Sequence, residues 1–373
     1  MMSIIIMERQ FSKNMRKILL VDYMGHCFQN QPTGHSLKVL NEYKRLVCDK
    51  FEIGIAAPKS IISNTNLSDY IYKIQLPFQI DVDECNNKFF NIKLMQIKKI
   101  VNLCIVLINQ HKTKEFDYIW FYNVDFMFFL TFFFVNLNRC KLVCTIYRCG
   151  FSSKKHKRRN DYIFRKVIKK MYLVVHTIDI FIGDCRKVFV PDYLYDNMKY
   201  EKYKCIEKKE KAVCLGTIGQ NKNIESLIDS FSHNNYELDI VGKFRNKERY
   251  EFLKTLQLSH IKIEDTYLPE DKYYSLLAEA KYAILPYDKN EYFKRTSGVL
   301  QECLFLDTIP VTFKSILDDN NISGIGIDTI QDLEKIDFKH IDVSGIRKRN
   351  RMILTEKYGW EKNKERLYKA LVE

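Results

Sequence analysis

Apolar strand-like runs alternate with helical patterns along this chain, in two successive series. KILLVDY (17–23), FEIGIAA (51–57), DYIWFYN (117–123) and KLVCTIY (141–147) carry little polar interruption, as strands covered on both faces do. The segment 35–47 between the first two places Leu37, Leu40, Tyr43 and Val47 on one helical face, and further helices are expected over 92–109 and 125–137. The segment 172–185 ends in IDIFIGD, read as another strand. The scheme then repeats, with strands expected at 211–216, 236–242, 260–265, 282–287 and 309–313. Helices are expected between them at 223–231, 247–256, 269–280 and 298–305. Strand–helix–strand alternation implies parallel pairing through right-handed crossovers. The expected fold class is α/β, with two doubly wound parallel-sheet domains.

Length agrees: 373 residues suit two domains at about 100–200 residues each. The join, 195–211, is charged and includes EKKEK, which reads as an exposed linker. The domains are accordingly expected at 15–195 and 205–355, followed by an amphipathic helix over 357–372 anchored by Trp360, Leu367 and Leu371. Met15 suits the start of a first strand, and residues 1–14 read as a loose extension without a signal-peptide cleavage site. The apolar stretch 126–137 falls short of the roughly 18–20 residues that span a bilayer. Eleven cysteines occur singly and without a CxxC pair, and Cys104, Cys144, Cys214 and Cys303 lie in apolar runs. They read as small buried hydrophobes in a reducing cytoplasm. Cys140, Cys144, Cys149 and His156 do not have zinc-site spacing, and no metal is expected.

Ligands of doubly wound sheets bind beyond the carboxyl ends of the strands, so the loops there are the candidate sites. GTIGQNKN (216–223) offers Gly216, Thr217 and, at the start of a helix, Lys222. An ammonium beside helix N-terminal amides attracts phosphate; an ordinary glycine turn with a surface lysine explains the string equally well. The long loop 286–302 carries Tyr287, Lys294 and Arg295, then Thr296, Ser297, Gly298 and Val299 at a helix start. Its amides suit a diphosphate, and Glu302, one turn further in, suits a ribose diol; the plain alternative is a capped helix with a surface Glu. No GxGxxG follows a strand, which disfavours a dinucleotide-dependent oxidoreductase.

Together these pieces resemble the C-terminal domain of GT-B glycosyltransferases, particularly the retaining family 4, over about 205–373. The resemblance implies two Rossmann-like domains facing across a cleft, with the acceptor on the first and a nucleotide-diphospho-sugar donor on the second. It implies a diphosphate role for Lys222, a strand-end role for Gly242, and a match of Glu302 plus LFLDTIPV (304–311) to the second Glu of the family's E-x7-E motif. The terminal helix resembles the one that crosses back to the first domain, here 356–373. Thr217 stands where the family has Arg, and Lys294 where it has the first Glu; Lys294 or Arg295 is then expected on the phosphates. Gly34 and His35 open the first helix, where family members place a donor- or acceptor-binding loop, although His35 also reads as a plain helix-end residue. Arg148 stands near the family's functional His and suits an acceptor or phosphate oxygen.

The expected activity is thus transfer of a sugar, with retention and without metal or other cofactor, to a glycan or lipid-linked acceptor in bacterial surface polysaccharide synthesis. Asp81-Val82-Asp83 is read as a coincidental DxD. Rival readings are a nucleotide-sugar epimerase of the same fold and an inactive sugar-nucleotide binder, the latter suggested by Thr217 and Lys294. The chain carries a formal +14, and its densest basic segment is 152–170. That segment reads as a solvated helix or as a patch for anionic lipid at the cytoplasmic membrane face, with Phe128, Phe129, Phe132, Phe133 and Phe134 as core or as apolar foot. Nucleic acid is not expected, because no stacking pattern or recognition motif accompanies the charge.

Overall fold

The computed structural model describes residues 15–28, 31–32, 34–81, 89–135, 140–148, 157–179 and 183–373. The chain divides into two compact units. The first comprises Met1–Thr177, Phe181–Val190 and Asn363–Glu373; the second comprises Ile178–Ile180 and Pro191–Lys362.

The strands of the first unit are β1 (Arg16–Val21), β2 (His26–Phe28), β3 (Gln31–Pro32), β4 (Phe51–Pro58), β5 (Tyr72–Leu76), β6 (Ile80–Asp81), β7 (Tyr118–Phe121), β8 (Lys141–Ile146), β9 (Leu173–His176) and β10 (Lys187–Phe189). Seven form one parallel sheet in the order β10-β9-β8-β7-β1-β4-β5, and β3-β2-β6 form a small separate sheet. The principal helices are α1 (Gly34–Val47), α2 (Phe89–Thr113), α3 (Phe126–Phe134) and α4 (Lys157–Ile168). The central strand β7 is wholly buried and β8 is buried beyond Lys141, as their apolar runs require. Trp120 of β7 stacks on Tyr43 of α1, ring centroids 4.5 Å apart, and its indole donates to Thr145 Oγ1 at 2.9 Å.

The second unit contains α5 (Asn197–Lys204), β11 (Lys209–Leu215), α6 (Ile224–Ser232), β12 (Glu237–Gly242), α7 (Lys247–Thr255), β13 (Ile261–Asp265), α8 (Glu270–Glu279) and β14 (Ala280–Ile284). It continues with α9 (Gly298–Phe305), β15 (Ile309–Phe313), α10 (Lys314–Asn320), β16 (Ile325–Ile327), α11 (Ser344–Ile353) and α12 (Trp360–Val372), which ends in the first unit. Its six strands are all parallel, ordered β13-β12-β11-β14-β15-β16.

Several sequence expectations need correction. The charged join is not an exposed linker throughout: Asp196 caps α5 by accepting from the Met198 amide, and Tyr200 and Tyr203 are buried, Tyr200 against Tyr274 and Phe305. Charge counting hid this apolar face. The strand expected in IDIFIGD lies earlier, on Leu173–His176; Asp179 is in a turn, and 180–182 fall outside the described residues. β5, β10 and β16 were not anticipated, and they are short strands at sheet edges or nearly so. The terminal helix starts only at Trp360, because Tyr195 pairs through the backbone with Tyr358 and Trp360 and holds Gly359 extended. Trp360 is half-buried, whereas Leu367 and Leu371 are fully buried. Cys144, Cys214 and Cys303 are buried, but Cys104 is exposed. No helix among the described residues is long and apolar enough to cross a membrane.

β11 turns away at Gly216, whose φ is +93°. The Gly216 carbonyl then passes β12 so closely that a Cβ on Gly242 would lie 1.9 Å from it. Gly242→Ala is therefore expected to cost on the order of 3 kcal/mol in a urea titration. Gly345→Ala, in the first turn of α11 with nothing within 4 Å, should instead add roughly 0.5–1 kcal/mol.

Candidate functional site

From β11 the chain steps to β12 and β13 on one side, then returns to β14 on the other. The carboxyl ends of β11 and β14 thus form the topological switch point of this sheet, where such folds hold ligands. Both candidate loops leave from there and are zipped together. Lys222 bridges Tyr287, the Asn223 amide donates to the Pro286 carbonyl at 2.8 Å, and the Asp288 amide donates to the Asn221 carbonyl at 2.9 Å.

Lys222 is 5% exposed, and its ammonium donates to the Leu215 carbonyl at 2.8 Å. Burial pushes its pKa down from the ordinary 10.5. A Cβ on Gly216 would meet Nζ at 3.9 Å, so the glycine borders the amine without crowding it; Thr217 is exposed. The loop is held from behind by Arg249 of α7, which donates to the carbonyls of Gly219 (2.7 Å) and Lys222 (2.9 Å) and pairs with Glu225 through two bonds of 2.5 and 2.6 Å. Sequence reading missed Arg249, which lies in a polar helix with no motif to mark it.

In the second loop Tyr292 stacks on Tyr287 with centroids 3.7 Å apart, and the Arg295 guanidinium lies 5.2 Å from the Tyr292 ring. The hydroxyls of Tyr287 and Ser297 share a hydrogen bond of 2.9 Å, and Ser297 caps α9 by accepting from the Leu300 amide at 3.3 Å. Thr296 is buried and accepts from Gln301 Nε2 at 2.9 Å. Lys294 adopts left-handed backbone geometry (φ +49°), its amide donating to Asp319 Oδ2 at 2.8 Å and its ammonium 5.4 Å from the Phe293 ring. Desolvation raises the Asp319 carboxyl pKa. Gly298 faces the Tyr193 ring, which an added Cβ would approach to 2.5 Å; internal packing already demands a glycine there. Val299 is half-buried.

Glu302 is not the surface residue of the plain alternative: it is 5% exposed. Its carboxylate accepts from Tyr273 at 2.8 Å and Tyr274 at 2.9 Å, both on α8. Burial and that charge raise both phenol pKa values. The adjacent tyrosines of EDKYYS give no sign in sequence that both converge on one acid from another helix.

In the first unit, Gly34 and His35 open α1, and Arg148 is half-buried two residues past β8. Asp81 ends β6, while Val82 and Asp83 fall outside the described residues. Of 152–170, residues 152–156 likewise fall outside them. α4 buries Ile163, Phe164, Val167 and Ile168 and exposes Tyr162; Phe128, Phe129 and Phe132 are core, whereas Phe134 is 78% exposed. The switch point of this sheet, between β1 and β7, holds a polar network that sequence reading missed. Buried Asp22 accepts from the Met24 and Gly25 amides and from Tyr122, and Asp125 accepts from Tyr23 at 2.8 Å and Lys99 at 2.6 Å.

Neither a protein-family model nor a curated protein matches this sequence. Solved structures do. HepE from Anabaena, in complex with UDP and glucose, aligns with TM-score 0.59 at 14% identity, over 95% of this chain and 99% of its own. The E. coli trehalose-6-phosphate protein bound with UDP-2-fluoro glucose aligns with TM-score 0.62 at 9% identity, over 95% and 99%. AviGT4, a glycosyltransferase involved in avilamycin A biosynthesis, aligns with TM-score 0.55 at 12% identity, over 95% and 96%. The chain has the GT-B fold. At these identities the likeness concerns the fold, and this GT-B chain's activity must be argued from its own residues.

Glu302→Ala would remove the acceptor of the Tyr273 and Tyr274 hydroxyls, the latter keeping its 3.3 Å bond to the Tyr200 hydroxyl, so it should cost about 1–3 kcal/mol by urea denaturation, and Glu302→Gln markedly less. An unchanged midpoint in Glu302→Ala would show that the clasp contributes nothing to stability.

Proposed function

We propose that this GT-B chain is a glycosyltransferase that binds a nucleotide-diphospho-sugar at the carboxyl edge of the second unit's sheet. The observation that carries this reading is Lys222. A buried ammonium with one carbonyl acceptor keeps two of its three donors for something else, and an anion is what would offset its desolvation. In this reading Lys222 and the first amides of α9 neutralise the diphosphate as it leaves with the bonding electrons of the glycosidic carbon. That set supplies the charge stabilisation otherwise given by a divalent metal. Arg249 and Gly242 keep the Lys222 loop in place. Arg295, stacked over Tyr292, lies on the same loop as the Ser297 cap and is the second cation for the phosphates. The buried carboxylate of Glu302, one turn into α9, is the group this reading assigns to a ribose hydroxyl. UDP in the HepE complex and UDP-2-fluoro glucose in the E. coli protein support a uridine-type donor.

The finer parts of the proposal are retention, a glycan or lipid-linked acceptor, and work at the cytoplasmic membrane face in surface polysaccharide synthesis. Support for membrane contact comes from α4, which exposes Arg158, Arg159, Arg165 and Lys166 beside Tyr162, while Phe133 joins Tyr162 to the exposed Phe134. A second reading, a sugar-nucleotide binder without turnover, is favoured by one observation: a left-handed Lys294 stands where the resembled family has its first Glu. Release of UDP from a panel of UDP-sugars, with and without acceptor, separates the two.

Lys222→Met tests the central claim. UDP affinity by calorimetry should fall at least tenfold while Tm stays level or rises, because a desolvated charge is removed. Unchanged affinity would end the proposal. The sign of the proton linkage follows from the depressed pKa. Bound diphosphate raises it again, so UDP binding to the wild type should take up protons between that depressed value and 10.5. Affinity should fall as pH rises through this window, and Lys222→Met should lose the uptake.

The membrane part has its own check. The protein should co-sediment with anionic vesicles at low salt, release as salt rises, and ignore neutral ones, since each basic residue contributes about 1 kcal/mol near the surface. No sedimentation with anionic vesicles removes it.

A further inference from the structure

The opposite edge of the same sheet carries an open cavity of about 910 Å³. It lies at the amino ends of β11 and β14, one strand length from Lys222, on the order of 20 Å at the usual rise per residue. The chain entering β11 contributes Lys208 and Glu210, β14 contributes Lys281, and α11 contributes Arg347, Lys348 and Arg351. Asp342, just before α11, is the other acid of the lining.

The acids are largely spent elsewhere. Glu210 accepts from Lys281 at 2.8 and 3.0 Å and from the Tyr236 hydroxyl at 3.1 Å. Asp342 accepts from the amide and hydroxyl of Ser344 at 2.9 and 3.1 Å. Behind the wall, Asp307 is shared by Arg347 and Arg351 at 3.6 and 3.5 Å, too long for strong hydrogen bonds. Arg347 Nε is buried and has no hydrogen-bond partner, a cost that native structures seldom leave standing. Five cations (Lys208, Lys281, Arg347, Lys348, Arg351) against Glu210, Asp342 and Asp307 leave a surplus of two positive charges. Val343 and Met352 add apolar surface to the lining.

We propose that this cavity binds a small phosphomonoester, separately from the donor edge. A phosphomonoester carries about −1.5 to −2 charges near neutral pH and three acceptor oxygens, which matches the surplus. The guanidiniums of Arg347 and Arg351, one helical turn apart, present forks suited to those oxygens. The apolar surface accepts the organic body. No residue of the proposed donor site takes part, so the inference stands whether or not the transferase reading does.

The test is calorimetric or NMR titration with glycerol 3-phosphate, with inorganic phosphate and with glycerol as the uncharged control. Saturable binding of glycerol 3-phosphate is expected, weaker binding of phosphate, and none of glycerol. Arg347→Gln/Arg351→Gln should weaken glycerol 3-phosphate at least tenfold. Lys348→Gln, at an exposed position away from the packing, should weaken it several-fold and guards against a misfolded double variant. Lys222→Met should leave it unchanged. Absence of saturation, indifference to the α11 substitutions, or loss in Lys222→Met, which would place the anion at the donor edge, each overturns the proposal.

Discussion

The ammonium of Lys222 is held out of water, and much of the second unit's local architecture serves to keep it there. Isolated, such a charge would be costly enough to favour its neutral form. The surrounding loop is therefore built rigidly. Arg249 gathers two of its carbonyls, Gly216 turns it through a left-handed conformation, and the bridge to Tyr287 ties it to the neighbouring strand's exit. Gly242 leaves room for the Gly216 carbonyl that this path requires. An apolar side chain such as methionine would avoid the desolvation cost that the lysine carries here.

The fold was largely legible because its signal is repeated. Most buried parallel strands are apolar runs followed by a helix, and the alternation leaves few topologies. Edge strands escaped notice for the complementary reason. Tyr72–Leu76 alternates in burial, and Lys187–Phe189 and Ile325–Ile327 are three residues each. The join 195–211 misled because its charges outnumber its tyrosines, while the tyrosines decide its packing.

Strand-end logic named the first residues of the candidate site but not the side chains that hold them. Lys222, Tyr287, Ser297 and Glu302 stand at positions that strand-end logic singles out. Arg249, Tyr273 and Tyr274 approach from other helices, and no local pattern announces which distant side chain will meet a given carbonyl or carboxylate. Two glycines of the candidate site answer internal contacts: Gly242, expected at a strand end, leaves room for a carbonyl, and Gly298, expected at a helix start, for the Tyr193 ring.

Lys208 connects the two edges of the second sheet in a further way. Its ammonium donates to the carbonyl of Leu306 at the end of α9, to that of Ala280 where β14 begins, and to the Thr308 hydroxyl. Burial lowers its pKa to about 8. This tripod pins the tail of a short helix whose head bears Ser297. Sliding of α9 along its own axis is thereby blocked, so whatever settles at the head meets an anchored rod rather than a floating one.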